Sequence, residues 1–391
     1  IFIKNPNNQK EKATIKYYDI GDYLKQNDKL DNLVKFKSIL NSSIPFNILK
    51  PNRSGDWINQ RNEAFDKYTP IGNKNKQKQL SFFNDNYSFG IISARDNWVW
   101  NFNKDSLQEK IELTIKFYNK ERQRYFKALG DNSSIVAEDF IEYDTKRISW
   151  DKRRLIGGLK KNNKISFYEK DIGMGLFRPF CKMRVYFNFS LFHSLYLQKD
   201  YFPTKNHKNK VICISAQGSN KNFSSIITDL VPCYDTLSKT LSFPLYYYEE
   251  RDKQSPTIFD AAGDSEYIKR DGVSDFILKR ARENYGDRVV KEDIFYYVYG
   301  ILHSPDYRTT FANDLKKMLP RIPLVDSTDD FWAFSKAGRD LAELHLNYES
   351  VAPYPDVNIT GDDSENYTVE KMRYPKKGEQ ETIIYNSHIT V

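Results

Sequence analysis

The chain has 391 residues, more than one average domain of about 100–200 residues, and 15% of them are aromatic, which excludes intrinsic disorder as its main state. No uninterrupted apolar run approaches the ~20 residues that a membrane span needs. The 60 Lys and Arg residues outnumber the 52 Asp and Glu residues for a net charge of +8, which favours a polyanionic partner but does not prove one.

The first residues and the cysteines indicate the compartment. Residues 1–6 (Ile-Phe-Ile-Lys-Asn-Pro) hold no initiator Met, basic n-region or apolar h-region, so we expect no signal peptide and a chain that starts within a strand of a longer protein. The three cysteines, Cys181, Cys213 and Cys233, form no C-x-x-C pair, which argues against a disulfide framework and a zinc site. We therefore expect a cytoplasmic protein without a membrane partner.

The front of the chain, up to residue 250, predicts short strands and one long helix. Ser106 and Glu109 have the spacing of a capping box, and apolar residues recur every three or four positions as far as Gly130. The long helix is therefore predicted to begin at Ser106 and end at Gly130. Strands are expected at residues 1–4, 13–19, 89–93, 98–102, 184–187, 211–215 and 243–248.

The rear of the chain is predicted to be helical. Residues 251–270 are polar and interrupted by Pro256 and Gly263, which indicates a mobile loop. Short connections that contain Pro or Gly then favour a compact bundle. The predicted fold class is α+β, with a mixed-β front packed on a helical C-terminal bundle. Helices are expected at residues 274–285, 293–303, 307–319 and 329–345, and short strands over 350–391.

Positive charge is concentrated in two segments. Residues 145–165 hold eight basic residues and one acid, Asp151, and residues 72–79 hold three lysines and no acid. A charge run is often a solvated face, but two runs beside many rings favour a nucleic-acid groove. The side chains that we expect to hold DNA phosphates are Lys74, Lys76, Arg147, Lys152, Arg153 and Arg154.

Two further segments carry side chains of the types that contact DNA bases. Residues 95–102 (Arg-Asp-Asn-Trp-Val-Trp-Asn-Phe) and 56–61 (Asp-Trp-Ile-Asn-Gln-Arg) combine arginine, amide and indole side chains. Arginine pairs with guanine, asparagine pairs with adenine, and rings stack on exposed bases. The alternative is that each Trp lies in a core and each Arg–Asp pair is a local salt bridge. The candidates for DNA contacts here are Gln60, Arg61, Arg95, Asn97, Trp98 and Asn101, with Arg178 of Phe-Arg-Pro-Phe (177–180) a further one.

Catalytic motifs are absent from the sequence. It has no G-x-x-x-x-G-K-[ST] loop, no G-x-S-x-G elbow and no H-x-x-x-H spacing among its five histidines. We therefore predict no catalytic residue, metal ligand or cofactor in this chain. Two alternatives stay open: a metal-dependent DNA nuclease using Asp131, Asp144 and Lys146, or a module that docks an acidic protein partner.

Seven segments form an ordered series: residues 56–61, 95–102, 177–180, 243–246 (Phe-Pro-Leu-Tyr), 293–308, 319–323 (Leu-Pro-Arg-Ile-Pro) and 337–349. In this order they resemble the C-terminal target-recognition (specificity) region of single-polypeptide restriction–modification enzymes, the type ISP group and its helicase- or nuclease-fused relatives. The resemblance covers nearly the whole chain.

The resemblance implies sequence-specific recognition of double-stranded DNA by the front of the molecule in a bacterial enzyme. Recognition would position a target adenine for an upstream methyltransferase domain of the same polypeptide. Methylation and cleavage, with S-adenosylmethionine and Mg²⁺, would belong to the parent and not to this chain. The implied divisions are residues 1–25, a terminal strand pair of the methyltransferase fold; 26–265, the target-recognition region; and 266–391, a helical region with terminal short strands.

Overall fold

The computed structural model describes residues 13–73, 80–131, 134–219, 221–251, 266–361, 372–376, 378–379 and 381–391. The chain divides into two compact units, Ile1–Ala342 and Glu343–Val391. Helices and small sheets both occur, so the predicted α+β class is confirmed. The boundaries expected at residues 25 and 265 stay predictions.

The helices differ widely in length. The longest, α3, has 28 residues, and the next, α11, has 19. Among the described residues, none of the helices is both long enough and apolar enough to cross a membrane. The helices are α1 (Gln26–Phe36), α2 (Asp96–Val99), α3 (Lys104–Asp131), α4 (Ala137–Phe140), α5 (Gly157–Lys160), α6 (Gln198–Tyr201), α7 (Asp275–Tyr285), α8 (Lys291–His303), α9 (Pro305–Thr310), α10 (Ala312–Lys317) and α11 (Thr328–Leu346).

The strands are short, and their side chains alternate between two faces. They are β1 (Ile15–Tyr17), β2 (Asn47–Leu49), β3 (Thr69–Pro70), β4 (Ser88–Phe89), β5 (Trp100–Asn101), β6 (Ile172–Arg178), β7 (Cys181–Tyr186), β8 (Val211–Ser215), β9 (Ser225–Thr228), β10 (Val231–Pro232), β11 (Thr240–Pro244), β12 (Tyr246–Glu250), β13 (Tyr267–Asp271), β14 (Arg321–Ile322), β15 (Thr360–Gly361) and β16 (Ile389–Thr390).

Two four-stranded sheets organise the larger unit. The first has the order β4-β11-β8-β9, is antiparallel, and is almost entirely buried. The second has the order β10-β6-β7-β5 and is mixed, because β10 runs parallel to β6. Packed beside the second sheet, α3 contributes Leu107, Ile111 and Ile115 to the same hydrophobic core as Val185.

The sequence pattern identified the N-terminal cap of α7 correctly but not that of α3. At the predicted start of α7, Ser274 Oγ accepts a hydrogen bond from the backbone N of Ile277 at 3.3 Å. The long helix, however, begins at Lys104, because Asn103 Oδ1 accepts from the backbone N of Ser106 at 2.9 Å. The cap is therefore Asn103, and Ser106 lies inside the first turn.

Two predicted elements differ from the structure. Of the strand expected at residues 98–102, Trp98 and Val99 belong to the helical turn α2, and Trp100 and Asn101 form the strand β5. The helix expected at 307–319 is two short helices, α9 and α10, because the backbone leaves helical geometry at Phe311. Of the loop predicted at 251–270, residues 252–265 lie outside the described residues, and the part from Tyr267 onward pairs as β13 with β12.

At the centre of the helical region, α8 is surrounded by protein. Every residue from 294 to 302 is buried. The α8 and α11 backbones touch where Gly300 meets Gly338: a Cβ at Gly338 would lie 2.0 Å from the carbonyl oxygen of Tyr296. The Tyr299 hydroxyl accepts from the backbone N of Ile227 at 3.1 Å, which ties α8 to the first sheet.

Candidate nucleic-acid interface

A first groove lies beside the N-terminal half of α3 and has a volume of about 920 Å³. Four of the residues predicted from the sequence line it together: Asn97, Trp98, Asn101 and Arg147. They come from three places in the chain, namely α2, β5 and the turn at 145–147. The fold therefore brings these predicted groups to one surface.

The first groove is strongly basic. Lys110, Lys116, Lys120 and Lys146 line it beside Arg147, and Glu109 is the one acid among the described residues that line it. Along the helix axis, Lys110 and Lys120 are about 15 Å apart at 1.5 Å per residue. That distance covers about four base pairs at 3.4 Å per phosphate of one strand. These lysines of α3 were not predicted from the sequence, although Lys116 and Lys120, four residues apart, lie on one side of a helix.

The groove wall is fixed to α3 by hydrogen bonds. Thr114 Oγ1 donates to the carbonyl oxygen of Arg147 at 3.0 Å, and the buried Glu121 carboxylate accepts from the backbone N of Glu142 at 2.8 Å. The Arg147 guanidinium pairs with Asp144 at 3.1 Å and lies 5.6 Å from the Phe117 ring centroid, while its side chain stays exposed. Cations on such a fixed wall lose little backbone freedom when they bind an anion.

The two amides in the groove are held differently. Asn101 Oδ1 accepts from the backbone N of Asn103 at 3.0 Å, which orients the side chain and leaves Nδ2 without a partner among the described residues. Asn97 is exposed, and its carbonyl oxygen accepts from Lys110 Nζ at 3.0 Å. Trp98 is half-buried against the core under α3, so much of its indole supports the groove from below.

The structure gives Arg95 a structural role. Its side chain is 1% exposed, and the guanidinium forms an ion pair with Asp151. It also donates to the carbonyl oxygens of Ser93 and Ser149, each at 3.2 Å, and to that of Leu191. Burial lowers the pKa of Arg95, and Asp151 opposes that shift. With its donors occupied inside the protein, Arg95 is not placed to read a base and does not line the first groove.

Lys152, Arg153 and Arg154 lie outside the first groove. They sit on a π-helical turn, Lys152–Ile156, whose start is capped by Asp151 Oδ1 at 2.7 Å from the backbone N of Arg154. Lys152 and Arg153 are exposed, whereas the Arg154 guanidinium stacks 3.9 Å from the Phe189 ring centroid. Through Asp151, Arg95 therefore holds this basic turn in place.

The 56–61 segment is attached to a helix. Arg61 forms a two-pronged pair with Asp56, with N···O distances of 2.8 and 3.2 Å, and Lys317 of α10 reaches the same carboxylate at 3.1 Å. These contacts hold the pKa of Asp56 well below its usual range. Gln60 Nε2 donates to the carbonyl oxygen of Lys50 at 2.7 Å. Gln60 and Arg61 therefore line neither groove described here, and Lys74 and Lys76 lie outside the described residues.

Arg178 is oriented toward α2, the short helix that carries Asn97. Its guanidinium stacks 3.9 Å from the centroid of the Phe177 ring, donates to the carbonyl oxygen of Phe177 at 2.7 Å, and lies 3.8 Å from Asp96 Oδ2. The side chain is 40% exposed, so part of it still faces solvent. Arg178 therefore lies beside α2 without lining the first groove itself.

A second and larger groove, of about 1280 Å³, was not anticipated. Its lining holds seven lysine or arginine residues against three acids among the described residues. The acids are Asp171, Asp229 and Glu292, and the cations are Lys170, Arg184, Lys199, Lys205, Lys208, Lys210 and Lys269. A sequence signal did exist: residues 204–210 read Thr-Lys-Asn-His-Lys-Asn-Lys.

The second sheet connects the two grooves. Across β5, β7 and β6, Asn101 is paired with Arg184, and Arg184 with Met174. Directly opposite residues of antiparallel strands point to the same face, so these three side chains form one row. Asn101 lines the first groove, and Arg184 and Met174 line the second. At about 4.8 Å between strands, the row spans about 10 Å.

The described part of the chain contains no group of three or more His, Cys, Asp and Glu side chains that could hold a metal ion. Of the carboxylates named for the alternative nuclease site, Asp144 pairs with Arg147 at 3.1 Å. The side chain of Asp131 lies outside the described residues.

Three solved structures that are similar to this chain are DNA complexes. A nuclease-deletion mutant of the Type ISP restriction-modification enzyme LlaGI, in complex with a DNA substrate mimic, has 34% identity and a TM-score of 0.76 over 97% of this chain and 32% of that chain. The ATP-dependent Type ISP enzyme LlaBIII bound to DNA has 32% identity and a TM-score of 0.76, over 97% and 23%. The DrdV–DNA complex has 26% identity and a TM-score of 0.76, over 97% and 36%.

The chain thus spans between 23% and 36% of the length of these solved relatives. Among curated proteins there is no match. The family described as the Type ISP C-terminal specificity domain matches residues 82–391, which include both grooves. The resemblance drawn from the seven sequence segments is confirmed, and this chain belongs to the Type ISP C-terminal specificity domain family.

Proposed function

We propose that this chain recognises a DNA sequence for a restriction–modification enzyme, and that the first groove contacts the duplex. The observation that carries the proposal is the meeting of two asparagines with five cations on one fixed wall, in a family whose solved members are bound to DNA.

Lys116, Lys120, Lys146 and Arg147 supply the phosphate contacts. Their charge is sequence-independent, because every duplex presents the same backbone. Each neutralised phosphate contributes about 0.9 to the slope of log affinity against log salt. Four such contacts therefore predict a slope of about −3.6 from this groove.

Asn97 and Asn101 supply sequence preference. An asparagine amide can both donate to and accept from the major-groove edge of adenine, and a good pair of this kind is worth about 1–3 kcal/mol of discrimination. The Asn101 Nδ2 atom has no partner in the described part of the chain, so no internal hydrogen bond opposes this use. Trp98 stays a candidate for stacking through the part of its ring that is not packed on the core.

The test is selection of the 391-residue chain against a randomised duplex pool, followed by sequencing of the retained DNA and titration at two salt concentrations. The wild-type chain should enrich one asymmetric motif. Lys116→Ala with Lys120→Ala should weaken binding equally on all sequences and reduce the salt slope by about 2. Asn97→Ala with Asn101→Ala should reduce enrichment while leaving the salt slope unchanged.

A matched control is Lys279→Ala with Lys336→Ala. Both lysines are exposed, lie on α7 and α11, and line neither groove. The control pair should leave both the slope and the enrichment at the wild-type value. Binding that is insensitive to salt, or salt-sensitive binding that the Lys116 and Lys120 substitutions leave unchanged, would refute the role of the first groove.

Methylation and cleavage belong, in this proposal, to other parts of a longer bacterial, cytoplasmic polypeptide, with S-adenosylmethionine and Mg²⁺ acting there. The support is that the solved relatives are about three times the length of this chain or more. DNA recognition by this chain would place a target adenine in reach of the upstream methyltransferase domain, which extracts the base from the stack.

The surface that we propose for contact with that domain is one face of α1. No residue of α1 is buried, and Leu30, Leu33 and Val34, at helical spacing, are each more than half exposed. An exposed apolar stripe of this kind is typical of an interaction site. In the parent polypeptide, Leu33→Asp should reduce methylation and leave DNA binding intact, whereas Lys35→Asp, away from that stripe, should affect neither. Unchanged methylation in Leu33→Asp would refute this surface.

A further inference from the structure

We propose that the second groove binds the phosphate backbone of the duplex beyond the segment that the first groove contacts, with Arg184, Lys205 and Lys208 as the contacting residues. This inference rests on the proposed function and extends it to a second site on the same molecule. Its support comes from the unpartnered cations, the rigidity of the loop that carries them, and the row of side chains that links the two grooves.

Arg184 is the central observation. It lies on β7, half-buried in the row between Asn101 and Met174. Its side chain has no hydrogen bond, ion pair or ring contact within the described residues. A guanidinium offers five donors in a planar fork that matches phosphate oxygens, so an anion at this point would satisfy it.

The loop at 204–210 presents two further cations. Lys205 and Lys208 are exposed and form no ion pair with any described residue. Lys210 differs, since its Nζ donates to the Tyr296 hydroxyl at 2.6 Å and lies over that ring. The charge available to a ligand in this loop therefore comes first from Lys205 and Lys208.

The backbone of this loop is fixed from below. His207 packs edge-on against Tyr248 and Tyr267, with centroid distances of 4.6 and 5.1 Å. The Tyr248 hydroxyl donates to the carbonyl oxygen of Lys208 at 3.1 Å, and Asn209 Nδ2 donates to the carbonyl oxygens of Tyr201 and Tyr246 at 3.0 and 2.5 Å. Because these contacts already fix the loop backbone, its lysines can bind an anion without the loss of conformational entropy that accompanies ordering of a disordered basic tail.

The two grooves form one track along the sheet. The row Asn101, Arg184 and Met174 spans about 10 Å, or about three base pairs along a duplex. A duplex in contact with Lys116 and Asn101 therefore continues over Arg184 toward the 204–210 loop. This continuity favours DNA over an acidic protein segment as the ligand, because a protein segment has no reason to follow the first groove as well.

The test is hydroxyl-radical footprinting of a long duplex that carries the selected motif, together with salt titrations. Lys205→Ala with Lys208→Ala should remove protection over about three base pairs at one end of the footprint and reduce the salt slope by about 2. Arg184→Gln should remove protection between that end and the centre. In each variant the selected motif should be the same as for the wild-type chain. The Lys279 and Lys336 substitutions serve again as the charge-matched control.

The outcomes separate the two proposals. A footprint and slope unchanged by the second-groove substitutions would overturn this inference while leaving recognition by the first groove standing. The same negative result combined with weaker methylation by the parent polypeptide would assign the second groove to a protein contact, and would also overturn it. Under both proposals, Lys116→Ala with Lys120→Ala should weaken protection over the whole footprint, because it weakens binding on every sequence. No footprint from the wild-type chain would remove both.

Discussion

Replacing Arg95 by Met tests whether this arginine holds the fold together or reads a base. The substitution keeps much of the side-chain length and removes the charge and all donors. In the structure these donors serve the carbonyl oxygens of Ser93, Ser149 and Leu191 and the carboxylate of Asp151. The substitution should therefore destabilise the protein in the absence of DNA.

The magnitude follows from the contacts that are lost. Three carbonyl oxygens each lose a hydrogen bond worth about 1 kcal/mol, and breaking a buried ion pair costs about 3–5 kcal/mol in other proteins. Asp151 reduces the total, since its side chain is 17% exposed and its Oδ1 keeps the bond from the backbone N of Arg154. With the ion-pair contribution reduced in this way to about 1–3 kcal/mol, and the three hydrogen bonds adding about 3 kcal/mol, we expect a loss of about 4–6 kcal/mol in the free energy of unfolding.

Urea denaturation without DNA measures this loss, and Arg153→Met is its control. Arg153 is exposed on the neighbouring turn, so its replacement should change the free energy of unfolding by less than about 0.5 kcal/mol. The reasoning would be refuted if Arg95→Met unfolded within about 0.5 kcal/mol of the wild-type chain and yet lost the selected DNA motif. Arg95 would then be a reader of bases after all.

Two further predictions concern stability. Gly338→Ala puts a Cβ 2.0 Å from the carbonyl oxygen of Tyr296, so α8 and α11 must separate, and we expect a loss of about 2 kcal/mol or more in urea denaturation. Gly130→Ala, which meets nothing within 4 Å, should stay within about 1 kcal/mol, and equal urea midpoints for the two variants would contradict the packing argument. The Arg61 contact lowers the pKa of Asp56, so its stabilisation is fully present above about pH 4 and is lost as pH falls through the lower folded value. The difference in unfolding free energy between the wild-type chain and Asp56→Asn should therefore shrink on acidification below about pH 4, and a difference that stays constant down to about pH 2 would refute the linkage.

The sequence was sufficient where one local rule determined an element. Ser274 and Gly286 enclose α7 because a serine hydroxyl and a glycine at φ +96° suit the two ends of a helix. The break at Phe311 within the predicted 307–319 helix was missed because it is a tertiary effect: the Phe311 ring packs on Phe65, with a centroid distance of 5.0 Å. No pattern within residues 307–319 contains that partner.

The sequence pointed to only some of the residues that line the two grooves, because the grooves, like the break at Phe311, depend on tertiary structure. Residue type drew attention to Asn97, Asn101 and Arg147, which the fold brings to one groove, and their contact with DNA stays a prediction. Residue type alone could not separate Arg95, since a buried arginine and a DNA-contacting arginine are identical in a sequence. The second groove was missed because its cations are distributed from Lys170 to Lys269, and only the folded chain places them around one space.

The row of Asn101, Arg184 and Met174 shows which positions of the second sheet can be substituted without disturbing its packing. On the opposite face of the same strands, Trp100 and Val185 are buried, and a Cβ at Gly173 would meet Phe187 at 2.8 Å. Packing on this buried face holds the three strands together. On the other face, Asn101, Arg184 and Met174 carry an amide, a guanidinium and a thioether. Exchange of any of them alters the chemistry of the exposed face without touching the buried one, so this surface can change by single substitutions while the scaffold stays the same.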